Sequence, residues 1–138
     1  MLEILRESSV LAVVGLSSKP DRAGYYVPAY MQRAGYTILP VNPALDHALG
    51  VRAFADLQDV PQPVDCVLIF RRPEFVPAVV EQAIAIKARY IWMQLGIRSE
   101  PAAQKARAAG LGVIMDACIM VEHRRLANRL DEARRGMS

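Results

Sequence analysis

The sequence predicts an α/β domain: a doubly wound, mainly parallel sheet of five or six strands with helices on both faces. Three observations predict it. Five short, nearly continuous apolar runs recur along the 138 residues. Segments with apolar residues at three- and four-residue spacing separate them, and Gly, Pro, Asn and Ser mark the junctions. Apolar runs of this length suit parallel strands buried on both faces, and strand–helix alternation predicts right-handed crossovers.

The first strand is Val10 to Val14, ending at Gly15. A helix follows, with Val27 to Ala34 as its body, a start near Gly24 or Tyr25, and Gly35 as its stop. Pro28 fits if it lies in the first turn, where its missing amide hydrogen leaves no gap. The second strand, Tyr36 to Val41, ends at Asn42-Pro43. Val51 to Phe54 reads as a short extra strand before a brief helical turn. The third strand is Val64 to Phe70, and the helix from Pro73 to Lys87 places Val76, Val79, Val80, Ala83 and Ile84 on one face. Pro77 belongs in its first turn. Tyr90 to Leu95 is the fourth strand. Ser99 caps a helix running to Ala109, with Pro101 in the first turn and Gly110 beyond its end. Leu111 to Met115 is the fifth strand, and a helix from about Val121 to Arg135 closes a single domain spanning 1–138. The order is that of a Rossmann-like fold.

Composition narrows the class. The chain is 53% hydrophobic, 22% charged and only 7% aromatic, so its core is mainly aliphatic. No run approaches ~18 apolar residues, which argues against a membrane-spanning helix. Charges at Glu3, Arg6 and Glu7 interrupt the start where a signal peptide needs an apolar stretch. Cys66 and Cys118 then read as reduced thiols in a cytoplasmic protein, and no metal-ligand spacing joins them to His47 or His123. Of the net charge of +3, the run from Glu122 to Ser138 supplies +2, with five arginines against three acids. Without interleaved aromatic residues that run reads as a solvated helix face, which disfavours nucleic acid as a partner.

Ligands of doubly wound sheets bind beyond the carboxyl ends of the strands, where strand order reverses. The loop after the first strand, GLSSKPDRAG, has the strand-to-helix context of a phosphate site. Gly15 allows a sharp turn, Ser17 and Ser18 offer hydroxyls, Lys19 and Arg22 offer charge, and the helix's first amides favour an anion. The Gly-x-Gly-x-x-Gly fingerprint is absent, since the next glycine after Gly15 is Gly24. The second strand ends in Asn42-Pro43, without the acid that binds a ribose 2′-hydroxyl, so NAD is disfavoured. No Gly-Lys-Ser/Thr triplet occurs, so this is not a Walker loop.

Five strand-end segments taken in order resemble the small CoA-binding domain family. They are GLSSKPDRAGYYV, VNP, FRRP, MQLGI and DACIM, and the resemblance spans about Ser9 to Arg125. That family is similar in fold to the N-terminal domain of the succinyl-CoA synthetase α subunit. The resemblance implies that coenzyme A or an acyl-CoA is the ligand. It implies that Gly15, Ser17, Ser18 and Lys19 cradle the pyrophosphate or 3′-phosphate, while Asn42 and Pro43 border the adenosine. Phe70, Arg71, Arg72 and Pro73 would form the opposite lip. Gln94 and Gly96 would pass the pantetheine arm toward Cys118. Related sites often carry a lysine just after the Asn-Pro pair. Here ALDHALG follows, so contact with the 3′-phosphate falls to Lys19, Arg22 or Arg71. The synthetase has a glutamate in the loop where this chain has Leu95.

No catalytic set stands out. Neither histidine has a recognisable carboxylate partner, and no nucleophile–base pair is evident. The expectation is a binding module without metal or catalytic residues. The alternative is a small nucleotide-dependent or thiol-based redox enzyme using Cys118, a residue that reads more often as a small buried apolar group than as a reactive one. Pairing with a second copy or another protein stays open.

Overall fold

The computed structural model describes the backbone of residues 1–136 and the side chains of residues 1–132. Its elements, in chain order, are α1 (Leu2–Glu7), β1 (Val10–Val14), α2 (Ala23–Arg33), β2 (Thr37–Val41), β3 (His47–Ala48) and β4 (Val51–Arg52). They continue with β5 (Cys66–Ile69), α3 (Val76–Ala85), β6 (Tyr90–Met93), α4 (Glu100–Ala108), β7 (Gly112–Ile114) and α5 (Ile119–Gly136). Single 3-10 turns at Leu57–Asp59 and Pro73–Phe75 precede β5 and α3. Arg134 and Arg135 of the basic run lie outside the described side chains.

Five strands form one sheet in the order β2-β1-β5-β6-β7, all parallel. The chain leaves β1 for β2 on one side and later returns to β5 on the other, so strand order reverses between β1 and β5. Alternate residues of each strand face opposite layers. Ala12, Val14, Val67, Ile69 and Ile91 pack with Val76, Val80, Ala103 and Ala106 of α3 and α4. Leu11, Val13, Cys66, Leu68 and Trp92 pack with Leu5, Val27, Met31 and Leu126 of α1, α2 and α5. Both faces are covered, which is why the strands read as unbroken apolar runs. Each large aliphatic side chain so buried contributes about 1.5–3 kcal/mol. Trp92 is fully buried, and its indole N–H donates to the Ala117 carbonyl at 2.8 Å.

Local chemistry sets the boundaries. Ser99 caps α4 through its hydroxyl, which accepts the Ala102 amide at 3.3 Å, and Pro101 sits in the first turn. Pro77 lies in the first turn of α3. Gly35 and Gly110 follow their helices at φ +108° and +90°, a conformation that glycine adopts freely.

Three features depart from the sequence expectations. Val51 to Phe54 adds no sixth strand to the sheet. Val51–Arg52 closes a small antiparallel hairpin with His47–Ala48, and Phe54 touches Val41 by one parallel bridge. The hairpin turns at Leu49 and Gly50, both at positive φ (54° and 74°), the geometry that matches strand twist in tight hairpins. Gln32 of α2 holds it by donating to the Leu49 carbonyl at 3.0 Å. Helix α1 is the second departure and packs on α5. The third concerns Pro28, which lies in the second turn of α2 because the helix begins at Ala23.

Candidate functional site

The carboxyl edge begins at Gly15, whose amide donates to the Val41 carbonyl at 2.9 Å while Phe70 donates to Val14 at 2.9 Å. These bonds bring the loops after β1, β2 and β5 together at the strand reversal. Gly15 has φ +89°, and a Cβ there would stand 2.9 Å from the Phe70 carbonyl oxygen. Only glycine lets β1 and β5 close this tightly.

Pro28 shapes the same loop by what it lacks. In an unbroken helix residue 28 would donate to the Gly24 carbonyl. Proline cannot, and the freed carbonyl accepts the Ser17 amide at 3.0 Å. Gly24 completes the contact, since a Cβ there would lie 3.3 Å from Ser17 Cβ and 3.4 Å from the Gly15 carbonyl. The loop is therefore folded back onto α2. Ser17 Oγ accepts the Lys19 amide at 3.1 Å, which leaves its own O–H to donate outward. No side chain caps the first turn of α2. The resulting cavity, about 430 Å³, is lined by Gly15, Ser17, Arg22, Ala23, Gly24 and Phe70. Uncapped amides at a helix start, a hydroxyl and an arginine suit a phosphate.

A second cavity of about 460 Å³ adjoins it and shares Gly15 and Phe70. Val14, Val41, Pro43, Leu57, Phe75 and Val79 give it an apolar lining, with Asn42, Asp56, Arg71 and Gln82 as polar members. Asn42 is held by three bonds: its side-chain N–H donates to Leu16 O at 2.9 Å, its Oδ1 accepts the Ala44 amide at 2.9 Å, and its amide donates to Phe54 O at 2.8 Å. Asn42 thus locks the β1 and β2 loops together. The guanidinium of Arg71 stacks over Phe75, 4.3 Å from the ring centroid. Beyond Pro43 and Ala55 an open groove of about 880 Å³ runs along the hairpin past His47, Arg52 and Phe54.

The structure thus gathers Gly15, Ser17, Arg22, Asn42, Pro43, Phe70 and Arg71 around two neighbouring hollows. Ser18 and Lys19 are exposed, and neither lines a described hollow. Arg72 points to Glu74 at 3.8 Å on the surface. Gln94 is buried, and its Oε1 accepts the Ile119 amide at 3.3 Å, so its polar partner is the start of α5. Gly96 is exposed at φ +85°, and its amide donates to Asp116 Oδ1 at 2.7 Å. Cys118 is half-buried beside the α1–α2–α5 cluster, whereas Cys66 is wholly buried and its thiol pKa is pushed up, chiefly by desolvation.

Sequence reasoning missed Phe75, Leu57 and Gln82 as wall residues. Leu57 and Gln82 lie outside the strand-end segments, and Phe75 lies two residues beyond the FRRP segment at the third strand. A phenylalanine four residues after an arginine at a strand end was the available signal. Among the described residues no carboxylate pairs with Lys19, Arg22, Arg52 or Arg71, and no cluster of His, Cys, Asp and Glu suits a metal. His123 is engaged by Tyr30, whose hydroxyl lies 2.8 Å from Nδ1. Among the described residues no helix is long and apolar enough to cross a membrane.

A family model described as a CoA binding domain matches residues 9–124. YneT of Bacillus subtilis (strain 168), an uncharacterized protein, is 47% identical over 121 residues, 88% of this chain and 90% of that protein. A hypothetical protein from Pyrococcus horikoshii is 36% identical with a TM-score of 0.88, covering 91% of this chain and 88% of the other. A dinucleotide-forming acetyl-coenzyme A synthetase from Ca. Korarchaeum cryptofilum is similar at 24% identity and a TM-score of 0.71. That match covers 83% of this chain and 27% of the synthetase, and it shows a shared fold.

Proposed function

This chain belongs to the CoA-binding domain family, and on that premise we propose that it holds coenzyme A or an acyl-CoA across the carboxyl edge of its sheet. One observation carries the reading. The phosphate-type cavity and the apolar cavity share Gly15 and Phe70, so they lie side by side at the strand reversal, and we read them as the two ends of one ligand trough. A ligand with phosphates at one end and a planar base at the other fits such a trough. In this reading the pyrophosphate meets Ser17, Arg22 and the first amides of α2, with Ser18 and Lys19 at the rim. The adenine enters between Pro43, Phe70 and Phe75, and the pantetheine arm leaves past Gly96 toward Cys118.

The protein acts in this reading as a binding module. Support comes from three polar side chains at the carboxyl edge that are occupied in shaping loops: Asn42 holds Leu16, Gln94 holds Ile119, and Asp116 holds Gly96. Calorimetry with CoA, 3′-dephospho-CoA and NAD tests the reading. CoA is expected to bind most tightly and NAD least. Equal binding of all three, or none, would overturn it.

A further inference from the structure

We propose that Arg71 is the specificity-determining residue that reads a phosphomonoester on the ligand's ribose, with Phe75 as its brace. The inference rests on the reading that an adenosine nucleotide lies in the trough. In any such nucleotide the ribose joins the base to the 5′-phosphate. With phosphates in the 430 Å³ cavity and the base in the 460 Å³ cavity, the ribose crosses the wall they share, Gly15 and Phe70. Arg71 is the next residue, lines the base cavity, and has its Cδ 3.3 Å from where a Gly15 Cβ would stand. Its side chain therefore runs beside the ribose position.

The chemistry suits that place. The cation–π contact with Phe75, 4.3 Å from Cζ to the ring centroid, holds the guanidinium in place, and a guanidinium so held can bind a phosphate through its N–H groups in a bidentate manner. Among the described residues no carboxylate forms an ion pair with it, and Asp56, which lines the same cavity, has its side chain engaged by the Asp59 amide. The other cations are placed differently. Arg22 lines only the phosphate cavity, Lys19 is exposed outside both, Arg72 faces Glu74, and His47 and Arg52 line the groove beyond Pro43.

The test measures affinity for CoA and 3′-dephospho-CoA in the native protein and in Arg71→Gln, Arg71→Lys and Phe75→Leu, with thermal unfolding to check that each folds. The native protein is expected to prefer CoA by about 10- to 100-fold. Arg71→Gln removes most of that preference, weakening CoA by a larger factor than it weakens dephospho-CoA. Arg71→Lys keeps part of the preference, because the charge stays and the planar fork is lost. Phe75→Leu lowers it partway with the charge intact, and carries the test if Arg71→Gln does not fold. Equal weakening of both ligands by Arg71→Gln, or an unchanged ratio, overturns the proposal while the CoA reading stands. Equal native affinity for the two ligands also overturns it. No native binding of either overturns both.

Discussion

The two ends of the sheet use polar groups in opposite ways. At the amino edge several groups answer one another, although the buried Ser8 Oγ has no partner among the described residues. Asp65 Oδ2 accepts the Ser9 and Val10 amides at 2.8 and 2.9 Å, Tyr36 donates its hydroxyl to the Leu5 carbonyl at 2.7 Å, and Glu7 takes both the Tyr90 hydroxyl and Arg89. At the carboxyl edge, among the described residues, no carboxylate pairs with Lys19, Arg22 or Arg71. The start of α2 has no side-chain cap. Cavity size does not separate the edges, since a hollow of about 590 Å³ also lies at the amino edge. The arginines at the strand ends do: Arg89 reaches Glu7 at the amino edge, whereas Arg22 and Arg71 reach no carboxylate. A closed network stabilises the fold, and donors left facing a hollow favour an anion from outside.

The strongest way to break the contrast is at Gly15. Gly15→Val puts a β-branched residue at φ +89° with its Cβ against the Phe70 carbonyl. Urea unfolding is expected to show a loss of about 2–3 kcal/mol. Calorimetry is expected to show CoA binding weakened roughly tenfold or more, as the phosphate loop is displaced. Native stability and affinity together would show that the tight approach of β1 to β5 is incidental.

Pro28→Ala sharpens the contrast, because its two effects have opposite signs. The restored amide adds a helix bond at the Gly24 carbonyl, so stability rises by about 1 kcal/mol or more. The Ser17 amide then shares its acceptor, and CoA affinity falls about threefold. Chemical denaturation and calorimetry on the same sample check both signs. A rise in stability with no change in affinity would separate Pro28 from the phosphate loop.

Much of this was legible in the sequence, for physical reasons. All five main strands lay within the apolar runs, because burial on both faces leaves few polar residues to blur them. Ser99, Pro101 and Gly110 marked α4 because caps act locally. Helix α1 was not legible: six residues are too few to show a period or to be stable alone, and packing on α5 supplies what propensity does not. The hairpin was half-read, since two-residue strands carry no alternation and Leu49 replaces the asparagine or glycine expected at positive φ. Pro28 was misplaced by one turn, because the acceptor it frees is used by Ser17, which the helical pattern does not contain. At the site the β1 loop was legible from its residues. The apolar cavity was not, because Leu57, Phe75 and Gln82 reach it from three separate segments.

The smallest effect is expected at the amino edge. Glu7's pKa is lowered from its ordinary 4.5, chiefly by the Tyr90 hydroxyl and further by Arg89 and Arg6, while desolvation opposes the shift. A lowered carboxylate pKa stabilises the fold above 4.5, and that contribution fades as pH falls through the lowered value. Tyr90's pKa is raised from 10.0, chiefly because Glu7 holds its proton, so its contribution is full below 10.0 and fades as pH rises through the raised value. Glu7→Gln should therefore melt slightly below native at neutral pH, with the gap closing in acid. Its CoA affinity should be unchanged. Melting curves across pH, with calorimetry at neutral pH, check both; a change in affinity would mean that the edges are coupled.

Amide chemical-shift mapping during a CoA titration tests the contrast between the two edges most directly. The amides of Gly15, Ser17, Gly24, Asn42 and Phe70 should move together along one saturation curve, while those of Ser9, Val10, Arg89 and Gly112 stay in place. Shifts concentrated at the amino edge, spread evenly over the chain, or absent at saturating CoA would contradict it.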